Sequence, residues 1–336
     1  IREASNQELQ SQDWVLNTAV RDDLTLEGSP EQIEQALVRQ YKTEYVAEWQ
    51  ALIQGVAVTE FSGFDDAVKR MNRLGDPANS PIGKLLTTLY DQTAWDNPSL
   101  VNEGLKKTQR GILQWFRNLV SSGTPSGATV NVNITGDAPT VAMGPIGKAF
   151  EAIGQLVIAR GGSGDGSLLK TYLDALSKTR TRFNQIKNAG DPGPPSRLLM
   201  QQTLDGNGSE LADALRYVDE SMLPGMNDAA RQTVRPLLVR PLIQAWQVIV
   251  KPTEDELNKV WAAQVYQPFQ TSLAAKYPFD PASRIEAGAA EIGQVFGPGG
   301  AIAKYLESAI GTLAVRRGDT LTPRTWADIG IRLAPT

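Results

Sequence analysis

The stretch that decides the fold is Asp255–Gly300, which reads DELNKVWAAQVYQPFQTSLAAKYPFDPASRIEAGAAEIGQVFGPGG. Its first part is predicted to be a helix that bears Trp261 and Phe269. Tyr277-Pro278-Phe279 should stop that helix, because proline lacks the N–H that a helix requires. A second short helix then ends in Phe296-Gly-Pro-Gly-Gly300, a turn that has to release another helix at a fixed angle. These features are typical of a structural element and not of a catalytic centre.

The aromatic side chains of this stretch are predicted to form a packed joint where several short helices meet. Aromatic residues bury large apolar areas and are therefore common in such cores. We expect five of them to be mostly buried, namely Trp261, Phe269, Tyr277, Phe279 and Phe296. If most of them lay exposed on one face, the joint would instead be an interface.

Composition excludes several classes of function. The chain has 336 residues and is 41% hydrophobic, which suffices for one large or two medium domains with real cores. With 33 basic and 37 acidic residues, no excess charge favours nucleic acid, which is not expected as a partner. Cysteine and histidine are both absent from the sequence. Disulfides, thiol nucleophiles, Cys/His zinc sites and histidine general bases are therefore excluded for this chain.

The sequence contains no run of about 18 apolar residues that could span a bilayer. It begins Ile1-Arg-Glu-Ala-Ser5 without an initiator methionine. We therefore expect a soluble piece that was cut at both ends from a longer chain. No small-molecule substrate, cofactor or metal is expected, and no catalytic, cofactor-binding or metal-binding residue is predicted.

Helical patterns dominate the remaining sequence. Ser29 is a predicted N-cap, and Pro30 stands at the first helical position. Behind it, apolar residues at steps of four and three should form one core-facing stripe: Ile33, Leu37, Tyr41, Tyr45, Trp49, Leu52 and Val56. Further helices are predicted at 62–73, from Ser80-Pro81, at 105–120, from Pro145, from Ser167, at 197–204, at 209–222 and at 229–250, the last kinked or broken by Pro236 and Pro241.

The predicted fold class is all-α: an elongated array of helix bundles with one long irregular loop and at most a minor strand. That strand is Val130–Ile134, in which apolar residues alternate. Four segments are expected: an N-terminal helical subdomain at 1–120, a Gly/Ser/Pro-containing connection at 121–144, a middle helical subdomain at 145–252, and a C-terminal helical subdomain with the aromatic joint at 253–336.

Two short patterns resemble ligand-binding loops but are broken at required positions. Gly147-Lys148 suggests a phosphate loop, yet Ala142 replaces its first glycine and Ala149 follows the lysine. Asp205-Gly-Asn-Gly-Ser-Glu210 resembles the opening of a calcium loop, but its sixth position is Glu210 and its twelfth is Arg216. We interpret both as ordinary connections between helices.

Carboxylates supply the alternative functional hypothesis. Some all-α peptidoglycan-processing enzymes of the lytic transglycosylase type use a glutamate, commonly followed by serine, as their general acid. Glu220-Ser221 and Glu307-Ser308 match that dipeptide, although the other motifs of such enzymes are absent. The acidic run Glu254-Asp255-Glu256 is interpreted as a helix start, where negative charge complements the helix dipole.

Several motifs, in their order along the chain, resemble the periplasmic helical region of the IcmF/TssM family of type VI secretion. They are Asp13-Trp-Val-Leu16, Tyr41-x-x-x-Tyr45-x-x-x-Trp49, Trp246 followed by Leu257-Asn-x-x-Trp261, Tyr277-Pro-Phe-Asp280 and Phe296-Gly-Pro-Gly-Gly300. The resemblance covers nearly the whole chain.

The resemblance implies a structural scaffold, not an enzyme: the periplasmic portion of an inner-membrane protein that belongs to the type VI secretion membrane complex. Its implied partners are other copies of itself and, through the full-length protein, an outer-membrane lipoprotein and the inner-membrane secretion components. In the family the lipoprotein is held mainly by a later β-rich domain, so that contact is assigned to no residue here. Membrane contact would come only from segments outside this fragment.

Overall fold

The structure is a computed structural model that describes residues 30–96, 143–158, 166–318 and 320–333. Several predicted features lie outside these residues: the motif Asp13–Leu16, the Ser29 cap, the helix at 105–120, the strand Val130–Ile134, and nearly all of the connection 121–144. The predicted division into four segments therefore stays a prediction.

The described residues are mainly helical, as the sequence predicts. Their helices are α1 Pro30–Gly55, α2 Phe64–Leu74, α3 Pro81–Thr93, α4 Pro145–Val157, α5 Leu168–Lys187, α6 Gly193–Asp205, α7 Glu210–Tyr217, α8 Asp228–Trp261, α9 Gln267–Ser272, α10 Ala289–Phe296 and α11 Ala301–Tyr305. One hairpin follows, made of β1 Ala314–Arg317 and β2 Thr320–Pro323. Among these helices, none is both long and apolar enough to cross a bilayer.

The chain forms two compact units, each assembled from separate stretches. Within the described residues, the first unit contains 30–56, 85–96, 143–158 and 226–233, and the second contains 57–84, 166–225, 234–318 and 320–333. In the first unit α1 packs against α4, and the hydroxyl of Tyr45 donates to the carbonyl oxygen of Gln92 at 3.0 Å.

The apolar stripe of α1 is only partly covered. The sequence analysis predicts that this face is directed into a core, but Tyr41 is 41% exposed and Leu52 is 50% exposed. Ile53 is the residue of α1 that is buried. The prediction of a core-facing stripe is therefore wrong for part of the helix. Helix α4 packs against α1, and Tyr45 and Trp49 of the stripe are half-buried.

The core of the second unit is built on α5 and α8. Tyr172 and Phe183 of α5 and Trp246 of α8 are completely buried, each with 0% exposure. The hydroxyl of Tyr172 donates to the carbonyl oxygen of Leu238 at 2.7 Å, which satisfies the one polar atom that burial would otherwise leave unpaired. Burial also raises the pKa of this hydroxyl far above its usual value, so it remains a donor.

Helix α8 runs without a break through Pro236, Pro241 and Pro252. This corrects the prediction that the first two prolines kink or break a helix at 229–250, and it joins that helix to the one bearing Trp261. Each proline costs about 3 kcal/mol in a helix interior. The cost is offset because the apolar face of α8, including Leu238, Leu242 and Ile249, is fully buried.

The acidic run is also placed differently from its predicted position. Glu254 lies in the interior of α8 and not at a helix start. Its carboxylate accepts hydrogen bonds from the backbone N–H and the guanidinium of Arg332, at 2.9 to 3.1 Å. Lys251 and Asp255 form an ion pair one turn apart. The run therefore joins the last described residues to α8.

A clasp of residues 324–333 lies along α8 in the second unit. The indole N–H of Trp246 donates to the carbonyl oxygen of Ile329 at 2.9 Å, and the rings of Trp246 and Trp326 are 5.4 Å apart. Trp326 and Ile329 exchange two backbone hydrogen bonds across a tight turn. Ala327 and Asp328 occupy this turn with positive φ angles of 50° and 63°, a conformation that costs L-residues energy. The contacts with Trp246 offset that cost.

The clasp is expected to loosen at acid pH. Hydrogen bonds from Arg332 hold the pKa of Glu254 below its usual value, and partial burial opposes this shift. A lowered folded-state pKa means that the stabilisation is complete above the unfolded pKa of about 4.3, and is lost as the pH falls through the folded-state pKa. We expect Glu254→Gln to remove this part of the acid sensitivity, as measured by hydrogen exchange of residues 326–331 between about pH 6 and pH 3.

Arg332→Gln is the matched control, because it removes the other partner of the same ion pair. Both variants should show a flatter pH dependence of exchange, and the change should be smaller for Arg332→Gln because the backbone N–H of residue 332 can still donate to Glu254. Equal steepness in the wild type and both variants would show that the ion pair does not hold the clasp.

Candidate interaction surface

The candidate functional surface lies in the second unit, on the stretch with which the sequence analysis begins. After α8, a π-helical turn at Ala262–Tyr266 leads into α9, and α10 and α11 follow. The chain leaves α10 through Gly297–Gly300, as predicted. A Cβ at Gly300 would lie 2.8 to 2.9 Å from three carbonyl oxygens of α10, so only glycine allows this close approach.

Three phenylalanines from separate segments form one cluster at this surface. The ring of Phe269 meets those of Phe279 and Phe296 nearly at right angles, with centroids 5.3 Å and 6.1 Å away. Phe279 and Phe296 are stacked at 5.6 Å with an angle of 8° between their planes. Both geometries are favourable for aromatic pairs.

This cluster is not a buried joint. Tyr277 is 51% exposed, Phe296 is 49% exposed and Trp261 is 38% exposed, while Phe269 and Phe279 are half-buried. The prediction that these five residues are mostly buried is therefore wrong. Two further apolar side chains are exposed in the same stretch, Tyr266 at 53% and Ile285 at 64%. We call these seven residues the aromatic surface.

Smaller side chains occupy the inward positions beneath the aromatic surface. Val265, Leu273 and Val295 are at most 3% exposed. Helices α9 and α10 have six and eight residues, so each offers few positions that point into the core. No residue of α9 is buried, Val295 is the buried residue of α10, and Val265 and Leu273 flank α9. The aromatic residues of these short helices are therefore left at the surface.

The loop that carries Tyr277 and Phe279 is held in place by polar contacts. The backbone N–H of Tyr277 donates to Ile285 at 2.8 Å, and its carbonyl accepts from Ala287 at 2.9 Å. Lys276 pairs with Glu291 of α10 at 2.5 Å, and this pairing lowers the pKa of Glu291. The aromatic surface is thus displayed on a fixed support, which reduces the entropy lost on binding.

Trp261 is held in place by a contact with Tyr305 of α11. Its ring meets that of Tyr305 edge-on at 5.1 Å, and Tyr305 is 7% exposed. The hydroxyl of Tyr305 donates to the carbonyl oxygen of Leu257 at 3.2 Å. Contiguous exposed apolar patches are uncommon on monomeric proteins and commonly mark contacts with other proteins.

At the segment Gly147-Lys148, which resembles a phosphate loop, a carboxylate of the protein itself occupies the helix N-terminus. One carboxylate oxygen of Asp96 accepts from the backbone N–H of Ile146 at 2.9 Å and of Gly147 at 3.4 Å, at the N-terminus of α4. The other oxygen accepts from Lys42 at 2.7 Å. An anion-binding helix end is therefore already filled from within the first unit. A Cβ at Gly144 would collide with the same carboxylate.

The calcium-loop lookalike connects α6 to α7. The carboxylate of Asp205 pairs with Arg324 at 2.6 Å. The hydroxyls of Thr203 and Ser209 are hydrogen-bonded to each other at 2.7 Å. Gly206 and Gly208 have φ angles of 68° and 70°. Among the described residues, no group of acidic side chains is arranged to hold a metal ion.

The two glutamates of the alternative hypothesis are both exposed at the surface. Glu307 lines a cavity of about 500 Å³ together with α6 and the loop that follows it. The lining includes Gln201, Gln202 and Asn207 and contains no aromatic residue. A sugar-cleaving site needs a partly buried acid beside aromatic side chains that stack on sugar rings. The geometry gives no support to that hypothesis.

Comparisons with known proteins agree with the resemblance found in the sequence. Residues 1–94 match the family described as "IcmF-related: Intracellular multiplication and human macrophage-killing". Residues 252–336 match the family described as "Type VI secretion protein IcmF helical domain". The chain belongs to the IcmF/TssM family. The second match contains all seven residues of the aromatic surface.

A curated member of the family is similar over most of the chain. The type VI secretion system component TssM1 of Pseudomonas aeruginosa is 22% identical over 300 residues, which is 87% of this chain. The match covers 25% of TssM1, so the chain spans about a quarter of the length of that relative.

Two solved structures share the fold. One, titled "Type VI secretion system membrane core complex", aligns with 93% of this chain and 53% of its own chain, at a TM-score of 0.63 and 22% identity. The other, titled "Type VI membrane complex", aligns with 88% of this chain and 49% of its own chain, at a TM-score of 0.58 and 20% identity. At these identities the likeness concerns the fold.

Sequence reasoning missed two parts of the surface of this IcmF/TssM chain. Ile285 follows a Pro-Ala-Ser-Arg loop and has no periodic pattern that would mark it. The hairpin of β1 and β2 was also missed, although Arg317-Gly-Asp-Thr320 carries the two-residue Gly-Asp connection that is typical of hairpins. The helical patterns that precede the hairpin hid that signal.

Proposed function

We propose that this chain is a structural part of a type VI secretion membrane complex, and that its aromatic surface contacts another copy of the same chain. We place it in the periplasm, as the helical portion of an inner-membrane protein. Through the full-length protein it would also be joined to an outer-membrane lipoprotein and to inner-membrane secretion components. Family membership and the titles of the relatives support this role.

The observation that carries the proposal is the exposure of the aromatic surface. Seven large apolar side chains that are exposed or half-buried lie between Trp261 and Phe296, and the rings of Phe269, Phe279 and Phe296 are in contact. Backbone hydrogen bonds and the Lys276–Glu291 ion pair hold the loop that carries Tyr277 and Phe279. Burying Phe296 and its neighbours against a second protein would stabilise the contact by about 25 cal/mol for each Å² of apolar area covered. Copies joined in this way can add many weak contacts into a stable assembly.

The proposed role is mechanical and not catalytic. The chain has neither histidine nor cysteine, and its Glu-Ser pairs lie on exposed turns without aromatic neighbours in the cavity lining. Ion pairs such as Arg332–Glu254 and Lys259–Asp191 link segments that are distant in sequence within the second unit. Such links are suited to a structural element that transmits a displacement from one segment to another.

The direct test is self-association of the 336-residue chain, measured by sedimentation over a range of concentrations. We expect concentration-dependent association of the wild type. Phe296→Glu should weaken it by about tenfold or more, because it places a charge in an apolar contact. The same substitution in the full-length protein should reduce assembly of the membrane complex and secretion in cells.

Leu198→Glu is the matched control, since Leu198 is 48% exposed, lies in the same unit and is outside the aromatic surface. It should leave association and secretion unchanged. A wild-type chain that stays monomeric, together with normal secretion for Phe296→Glu, would contradict the contact. Normal secretion by cells that lack the protein altogether would contradict the role in the secretion complex itself.

A further inference from the structure

In the hairpin of the second unit, the strand register determines which backbone groups point away from the partner strand. Its strands pair antiparallel, with Ala314 opposite Pro323, Val315 opposite Thr322, Arg316 opposite Leu321 and Arg317 opposite Thr320. The N–H of Arg324 donates to the carbonyl oxygen of Leu313 at 2.9 Å, so these two form a hydrogen-bonded pair in the same register.

Hydrogen-bonded and non-hydrogen-bonded pairs alternate along an antiparallel ladder. Val315 and Arg317 therefore bond to β2, whereas the backbone groups of Ala314 and Arg316 point away from it. Among the described residues, no other backbone segment pairs with these outward groups. Ala314 is 9% exposed and Arg316 is exposed, so the accessible edge is centred on Arg316.

The two edges of the hairpin are not equivalent. The outer edge of β2 includes Pro323, which has no N–H to donate, and proline is a common way to block an edge strand. The outer edge of β1 is formed by the backbone groups of Ala314 and Arg316 and contains no proline. A third strand would therefore add to β1.

The positive charge of β1 determines which kind of strand can add at its outer edge. Arg316 and Arg317 are both exposed on β1 and have no carboxylate among their hydrogen-bond or ion-pair partners in the described residues. A second copy of β1 at this edge would bring these arginines against themselves, and like charges directly opposite each other are destabilising. Acidic side chains in the added strand would instead be stabilised.

We propose that the outer edge of β1 is a docking site for an extended acidic segment of another polypeptide, which adds as a third strand with carboxylates beside Arg316 and Arg317. Main-chain hydrogen bonds to Arg316 would hold the segment, and the two guanidinium groups would select its charge. This site is separate from the aromatic surface and does not depend on the function proposed above.

Arg316 and Arg317 are consecutive residues of β1, so their side chains lie on opposite faces of the hairpin. The test therefore uses a labelled, end-capped peptide with adjacent glutamates, Thr-Glu-Glu-Val-Glu-Glu-Thr, and the 336-residue chain, with binding measured by fluorescence anisotropy. We expect saturable binding. A peptide with lysine in place of each glutamate should bind about tenfold more weakly, because two charge contacts are replaced by repulsions. A version of the acidic peptide with N-methyl groups on alternate residues should also bind about tenfold more weakly, since it cannot complete the ladder.

Two paired variants separate the edge from general electrostatics. Arg316→Glu with Arg317→Glu should reverse the preference, so that the lysine peptide binds more tightly than the acidic one. Lys170→Glu with Lys178→Glu changes the net charge by the same amount on exposed positions of α5 and should leave binding unchanged. Thermal unfolding of each variant confirms that it is folded.

Three outcomes would overturn the proposal. The first is no saturable binding of the acidic peptide to the folded wild-type chain, which would show that the arginines only protect the edge from pairing. The second is equal binding of the N-methylated peptide, which would show a charge contact without strand addition. The third is an equal loss of binding in the α5 variant, which would show an effect of net charge alone.

Discussion

Replacing Trp246 by alanine is expected to lower the free energy of unfolding of the second unit by about 4 kcal/mol. The side chain is 0% exposed, contacts the ring of Trp326 in a tilted arrangement and donates its indole N–H to the carbonyl oxygen of Ile329. Its removal leaves a large cavity and frees the clasp at the same time. Urea unfolding followed by circular dichroism measures the loss, and hydrogen exchange of residues 326–331 should rise with it.

Trp246→Phe is the control, since it keeps most of the apolar volume and removes the N–H donor. It should cost about 1 to 2 kcal/mol, close to the value of one buried hydrogen bond. A loss for Trp246→Ala as small as that of Trp246→Phe would contradict the cavity argument. Unchanged exchange in residues 326–331 for both variants would contradict the anchoring of the clasp by Trp246.

Replacing Asp96 by alanine is expected to destabilise the first unit by about 3 kcal/mol. The carboxylate caps the first turn of α4 and pairs with Lys42, and the side chains of Asp96 and Lys42 are only 8% and 16% exposed. Alanine therefore leaves two backbone N–H groups and one ammonium group without their acceptor. The amides at the start of α4 should exchange faster, and the urea midpoint of this unit should fall.

Asp96→Asn keeps a side-chain oxygen at the cap and removes the charge, so it should cost clearly less than alanine. Adding Lys42→Met to Asp96→Ala should recover part of the loss, because the unpaired ammonium is then gone. Equal destabilisation by alanine and asparagine would show that the cap contributes nothing. Strict additivity of the two substitutions would show that Asp96 and Lys42 do not interact.

Much of the helical structure could be predicted because its signals are local. Pro30, Pro81 and Pro145 stand at the first positions of α1, α3 and α4, and Ser167 caps α5 by accepting from Lys170 at 3.2 Å. Proline, serine and glycine act within one turn of their own position. The all-α fold class followed from these signals and from apolar periodicity.

The continuity of α8 could not be predicted in the same way. Each of its prolines is a local signal for a break, whereas the burial that overrides the prolines depends on residues of other helices, such as Tyr172, whose hydroxyl donates to Leu238. The role of Glu254 was missed for the same reason, since its partner Arg332 lies 78 positions away. A single sequence does not show which distant residues will meet.

The aromatic surface shows where the interpretation of composition failed. The many aromatic residues of this stretch predict a core. Their number does not determine which side of a short helix faces inward. Val265, Leu273 and Val295 are buried, whereas Phe269, Phe279 and Phe296 contact one another at the surface. The sequence analysis therefore identifies the correct stretch of the chain, but its prediction that the aromatic side chains face inward is wrong.

The most direct test of the account is photo-crosslinking from position 296 of the intact protein in secretion-competent cells. A photoreactive amino acid replaces Phe296, and the adduct is identified by mass spectrometry. The account predicts an adduct between two copies of this protein that is absent when the probe replaces Leu198. No adduct at position 296, or an adduct only with an unrelated protein, would contradict the claim that the aromatic surface joins copies of this chain.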